Sequence, residues 1–132
     1  KKKTKKFSNK QKKQKKCLKK NKKKNKSFFF DNEKSDSKFG QLTFKKIQTL
    51  EKYCKVEVNL ITGRHHQIRC NFSEIGYPIL GDLKYGSKRS NKDGGIYLHS
   101  REVDFIHPVS KKKINIKADP PMKGLWSIST SY

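Results

Sequence analysis

The chain has 132 residues, with 34 Lys and Arg against 11 Asp and Glu and a formal net charge of +23. That length accommodates one small domain, and no run of about 18 apolar residues exists to form a membrane-spanning helix. The three cysteines, Cys17, Cys54 and Cys70, are unclustered and do not form a disulfide framework. The expected setting is therefore a reducing, intracellular one; cytoplasm, nucleus and organelle all fit.

Residues 1–26 hold sixteen lysines and no acid, with Phe7, Cys17 and Leu18 as their only apolar side chains. Like charges would repel at every turn of a helix, and no face offers itself for burial. The expectation is a disordered Lys-rich low-complexity segment, continued by a linker to Gly40. A polyelectrolyte arm for RNA or DNA, an insertion without a selected role and a nuclear or nucleolar address are all compatible with it. The segment has no apolar h-region of the kind a secretory signal needs. It opens on Lys1 rather than Met, so the chain is expected to be a piece of a longer one. Phe28-Phe29-Phe30 is the one apolar spot between Ser27 and Gly40, suited to a short strand or a docking patch.

Leu42, Phe44 and Ile47 begin an extended segment. From 52 to 60, Cys54, Val56, Val58 and Leu60 alternate with Tyr53, Lys55, Glu57 and Asn59, the period of a half-buried strand. The two runs predict an antiparallel pair, ended at Thr62-Gly63. A helix is predicted over 66–75, because Ile68, Phe72 and Ile75 form one apolar stripe, with Gly76 as its stop and Pro78 beyond. After a basic loop from 84 to 95, residues 96–105 read as a strand, bent near Ser100-Arg101. Ile114 and Ile116 mark a last short strand, closed by Asp119-Pro120-Pro121. The fold class is α+β, a mostly antiparallel mixed sheet with one main helix. The expected organisation is a disordered segment over 1–40, a folded domain over 41–125 and a C-terminal tail over 126–132.

Four histidines, His65, His66, His99 and His107, invite a metal site. Adjacent helical positions diverge, however, and no Cys or carboxylate sits at ligand spacing, so no metal or cofactor is expected. Cys54 and Cys70 fall on core faces, where thiols are inert. The segment Thr62-Gly63-Arg64-His65-His66-Gln67-Ile68-Arg69 is different. It sets Arg64, Gln67 and Arg69 with two histidines at a strand-to-helix junction, where unpaired helical N–H groups favour anions. Arg, Gln and His grip phosphates and base edges, so an RNA site stands here beside a capped helix with solvated charges.

The same segment resembles the signature T-G-R-x-H-Q-[IL]-R of the RluA-type family of RNA pseudouridine synthases. Gly76-Tyr77-Pro78-Ile79-Leu80-Gly81-Asp82 with Lys84-Tyr85-Gly86 is similar to the family's G-H-P-I-x-G-D-x-x-Y-G, Tyr77 replacing the usual His. Leu98-His99-Ser100 resembles L-H-A, Phe105-Ile106-His107-Pro108 resembles F-x-H-P, and Ala118-Asp119-Pro120-Pro121 resembles A-P-x-P. The blocks keep their order across residues 40–121.

The resemblance implies the C-terminal part of a catalytic domain that isomerises uridine to pseudouridine in RNA, ribosomal or transfer, without metal or cofactor. It assigns Arg69 to pair with a nucleophilic aspartate and Ile68 to pack against the flipped base. Arg64, Gln67, Lys84, Tyr85, Lys88, Arg89 and Lys111 become candidates for RNA contacts, the first two through the motif. The family's aspartate lies in an upstream H-R-L-D block. None of the six aspartates here follows Arg-Leu, and the family's active-site tyrosine is not identifiable. The expectation is that no acid of this chain pairs with Arg69, and that Asp82 braces its loop. An inactive RNA-binding remnant is the alternative; the oligomeric state is undetermined.

Overall fold

A computed structural model describes residues 10–30 and 36–128. The chain divides between Tyr97 and Leu98 into two compact units, and its α+β architecture is built on antiparallel sheets.

In the first unit, β1 (Lys12–Asn21), β2 (Lys26–Phe30), β3 (Lys38–Thr49) and β4 (Cys54–Leu60) form one sheet in the order β2-β1-β3-β4. All its neighbours are antiparallel. The expected pairing of the 42–47 and 52–60 segments is present, with Phe44 opposite Val58 and a bulge between Lys46 and Gln48.

The expected disorder is overturned across Lys12–Asn21 and Lys26–Phe30; residues 1–9 and 31–35 lie outside the described residues. Lysines that would crowd every turn of a helix alternate between the faces of a strand. Here they flank the single buried anchor Leu18, which is opposite both Phe29 and Lys38. The connecting turn has its own chemistry. The Asn21 Oδ1 accepts the Lys24 N–H at 3.0 Å, and Asn25 takes a left-handed φ of 46°, a conformation Asn tolerates.

Helix α1 (Gln67–Glu74) packs on one face of this sheet. Of its predicted stripe, Phe72 is buried, joining Leu42 and Phe44 in a core flanked by the partly buried Val56, Val58, Ile68, Ile75 and Ile79; Gln67, Cys70 and Asn71 are buried beside it. The Phe44 and Phe72 rings meet edge to face at 5.1 Å. Cys70 lies in a second cluster with Leu18, Tyr85 and Phe29. Gly76 (φ 87°) stops the helix as predicted. Its N–H bonds the Ser73 carbonyl and the Tyr77 N–H bonds the Phe72 carbonyl, the paired bonds of a Schellman end. A 3-10 turn, Leu83–Tyr85, follows.

The second unit is a ribbon of β5 (Glu102–Ile106) and β6 (Lys113–Lys117), with a short helix α2 (Leu125–Ile128). The strand expected over 96–105 is thus reduced to its end and extended by Ile106. Its partner β6 offers five residues before Asp119-Pro120-Pro121, so there is no ladder for residues 96–100 to join. The bend near Ser100-Arg101 falls outside the strand. The expected tail begins inside α2; residues 129–132 lie outside the described residues.

Candidate active site at the strand-to-helix junction

The loop from β4 to α1 is fixed before the helix begins. The Thr62 Oγ1 accepts the Gln41 N–H at 2.9 Å and donates to the Gln67 Oε1 at 2.9 Å, and the Arg64 N–H donates to the same Oε1 at 3.0 Å. Gln67 is 4% exposed, and its amide oxygen ties the loop together. Arg64 is exposed and its Nε donates to the Phe39 carbonyl at 2.8 Å.

His66 precedes the helix with φ 51°, a left-handed conformation that turns its ring beneath Arg69. The Arg69 guanidinium is gripped along one side. Its Nε donates to the Asp82 Oδ2 at 2.9 Å and its Nη2 to Oδ1 at 2.8 Å. The expectation that no acid of this chain would pair with Arg69 is therefore corrected. The turn Gly81-Asp82, with Gly81 at φ 87°, carries the carboxylate under α1, where it is 1% exposed. Arg69 retains 21% exposure. Its Nη1 lies 3.1 Å from the His66 Nε2. An arginine only donates, so Nε2 is the unprotonated nitrogen and Nδ1–H donates to the Tyr85 hydroxyl at 2.8 Å. Burial first, then the charge of Arg69, pull the His66 pKa down from 6.5 to about 4, which keeps the ring in that neutral form. The Asp82 hydrogen bonds push the Arg69 pKa up, so its charge is permanent.

The Tyr85 hydroxyl also accepts the Ser27 N–H at 2.8 Å. Tyr85, a candidate for an RNA contact, is 3% exposed. Its ring lies 5.0 Å from the Arg69 guanidinium carbon. Ser27 binds β2 to the site in further ways. Its Oγ lies 2.8 Å from the His65 Nδ1 and donates to the His65 carbonyl, and its own carbonyl accepts from the Cys70 Sγ. Burial pushes the Cys70 thiol up to about 11, so it is inert at neutral pH.

Ile68 is half-buried on the core side. Lys84 is exposed, its Nζ 3.2 Å from the Asn25 carbonyl, beside the lysines of the β1–β2 turn. Lys88 and Arg89 are exposed in the following loop, and Lys111 lies in the second unit. Sequence reasoning missed Ser27 and the His66–Tyr85 link. No cluster of three or more metal-ligating side chains occurs among the described residues.

Two N–H groups of Arg69 are left for chemistry. Asp82 takes the side formed by Nε and Nη2, and His66 takes one N–H of Nη1. The second N–H of Nη1 and the second N–H of Nη2 make no hydrogen bond among the described residues. Such donors can take a further carboxylate.

The model of the RNA pseudouridylate synthase family matches residues 2–74, which include the lysine-rich strands. An uncharacterized RNA pseudouridine synthase of Mycoplasma genitalium is 40% identical over 76 residues, covering 57% of this chain and 25% of that protein. Ribosomal large subunit pseudouridine synthase C of Vibrio cholerae is 33% identical over 88 residues, 60% of this chain and 28% of its own length. The D enzyme of Zymomonas mobilis is 33% identical over 86 residues, 59% and 27%. The chain thus spans about a quarter of the length of these relatives. With more than half of its residues inside the family match and the T-G-R motif built into this junction, the chain belongs to the RNA pseudouridine synthase family, of the RluA type.

Proposed function

We propose that this chain supplies the arginine-bearing part of an active site that converts uridine to pseudouridine in RNA. The observation that carries the reading is the divided use of Arg69. Asp82 and His66 take three of its N–H groups and leave one on each Nη for a second carboxylate, supplied by an Arg-Leu-Asp block outside this sequence. In that arrangement the aspartate takes the sugar at C1′ as the N1–C1′ bond breaks, the uracil turns, and C5 joins C1′ as the aspartate leaves it, C5 losing its proton as N1 regains one. Asp82 is a poor nucleophile, because both its oxygens face Arg69 and it is 1% exposed. It acts as a positioning residue. The target base must leave its stack, and Ile68, next to Arg69, is the apolar side chain for it to meet. Arg64, Lys84, Lys88 and Arg89 supply positive charge for phosphates. Ribosomal RNA is the substrate class suggested by the names of the Vibrio and Zymomonas relatives.

The test is mass-spectrometric detection of pseudouridine in ribosomal RNA incubated with two proteins: this chain alone, and this chain joined to the sequence encoded upstream of Lys1. Turnover is expected only from the second, with an Arg-Leu-Asp block in the added segment. Turnover by the 132-residue chain alone, abolished by Arg69→Ala, would transfer the nucleophile's role to a residue within it. Absence of such a block with retained RNA binding would instead mark an inactive remnant.

A further inference from the structure

Helix α1 covers one face of the four-stranded sheet; strand register defines the other. Phe29 faces the helix with Leu18, Cys70 and Tyr85. Its neighbours Phe28 and Phe30 must therefore face away. Phe30 and Phe39 are the two cross-strand partners of Cys17, and Phe28 is opposite Lys19, so all three rings share that outer face. Phe28 is 36% exposed and Phe39 48% exposed. Along β1 the same face carries Lys13, Lys15, Cys17 and Lys19. No acid occurs in β1, β2 or β3.

We propose that this outer sheet face is a stacking platform for single-stranded RNA, with bases on Phe28 and Phe39 and phosphates on Lys13, Lys15 and Lys19. The proposal extends the RNA-directed reading above and rests on it for the choice of nucleic acid. Phe28 and Phe39 are two strand spacings and two residues apart, about 12 Å. That interval suits splayed bases of one strand. Aromatic faces within a cationic sheet are the general physical solution for binding single strands without reading sequence. The charge selects the occupant: a second copy would bring lysines against lysines, whereas a polyanion neutralises them.

The experiment is fluorescence anisotropy of a labelled eight-nucleotide oligouridylate with the full chain, the Phe28→Ala/Phe39→Ala variant and Phe39→Tyr. The double variant should bind about thirty-fold more weakly, the low end for two lost base stacks, with an unchanged salt slope. Phe39→Tyr should bind as the parent does. A Phe28→Leu/Phe39→Leu variant keeps apolar bulk, guards against misfolding and should also bind weakly. Unchanged affinity in both double variants, equal binding of an eight-base-pair duplex, or self-association through this face would overturn the proposal. Oligouridylate binding requires no turnover, so an inactive complete protein that still binds through these rings would count against the catalytic reading alone.

Discussion

Replacing Asp82 by Asn isolates the contact on which the site depends. Asn keeps the shape but presents an amide NH2 where Arg69 now finds an oxygen, so one of two bonds of 2.9 and 2.8 Å becomes donor against donor. Breaking one partner of a buried ion pair costs about 3–5 kcal/mol. Arg69 keeps 21% exposure, so water can reach its freed N–H group, and the expected cost falls to roughly 2 kcal/mol. For a domain of this size that lowers the midpoint of thermal unfolding by about 10–15 °C, read by far-ultraviolet circular dichroism. Removing both partners, as Arg69→Met with Asp82→Asn, should recover much of the loss, because no unpaired charge remains. A loss below about 0.5 kcal/mol, the range of an exposed pair, with no coupling between the two substitutions, would refute the reasoning.

Gly40 is where β3 meets Leu18; a Cβ there would collide with the Leu18 Cδ1, so Gly40→Ala should cost about 1–3 kcal/mol of overpacking in urea unfolding. His66 titrates at about 4 when folded against 6.5 unfolded, so the unfolded chain binds the extra proton between those values. Stability should therefore fall as pH drops from 6.5 to 4 and level off below, by on the order of 1 kcal/mol after solvent screening; His66→Gln should flatten that slope, and an unaltered slope would contradict the assignment. Changing Lys22, Lys23 and Lys24 to Ser leaves both strands intact and should reduce the slope of log K against log salt for single-stranded RNA by about 2; an unchanged slope would place the electrostatic grip elsewhere.

The sequence disclosed what local pattern controls. Alternation at 54–60, the Ile68-Phe72-Ile75 stripe and the Gly76 stop each rest on neighbours within one turn or one strand, and each appears in the fold. The lysine segment was misread because its strand character depends on partners. Leu18 is a lone apolar residue until Phe29, Gly40 and Cys70 surround it. Asn21 and Asn25, which bracket the turn, were the local sign of a hairpin. The T-G-R motif marks the strand-to-helix junction, and Gln67 and Tyr85 turn inward there. Their polar groups satisfy backbone and His66, a role that residue type alone does not separate from a surface contact. The grip of Asp82 on Arg69 spans thirteen residues and depends on how the Gly81 turn passes beneath the helix, which no periodicity encodes.

The central claim is that the unused N–H groups of Arg69 seat a catalytic carboxylate. Single-turnover conversion of uridine by the complete protein, parent against Arg69→Lys, tests it most directly, with RNA affinity measured in parallel. Lysine keeps the charge and loses the bidentate fork. The expected result is a rate at least about a hundred-fold lower with nearly unchanged RNA binding; a parental rate from Arg69→Lys, or a loss wholly in RNA affinity, would contradict the account.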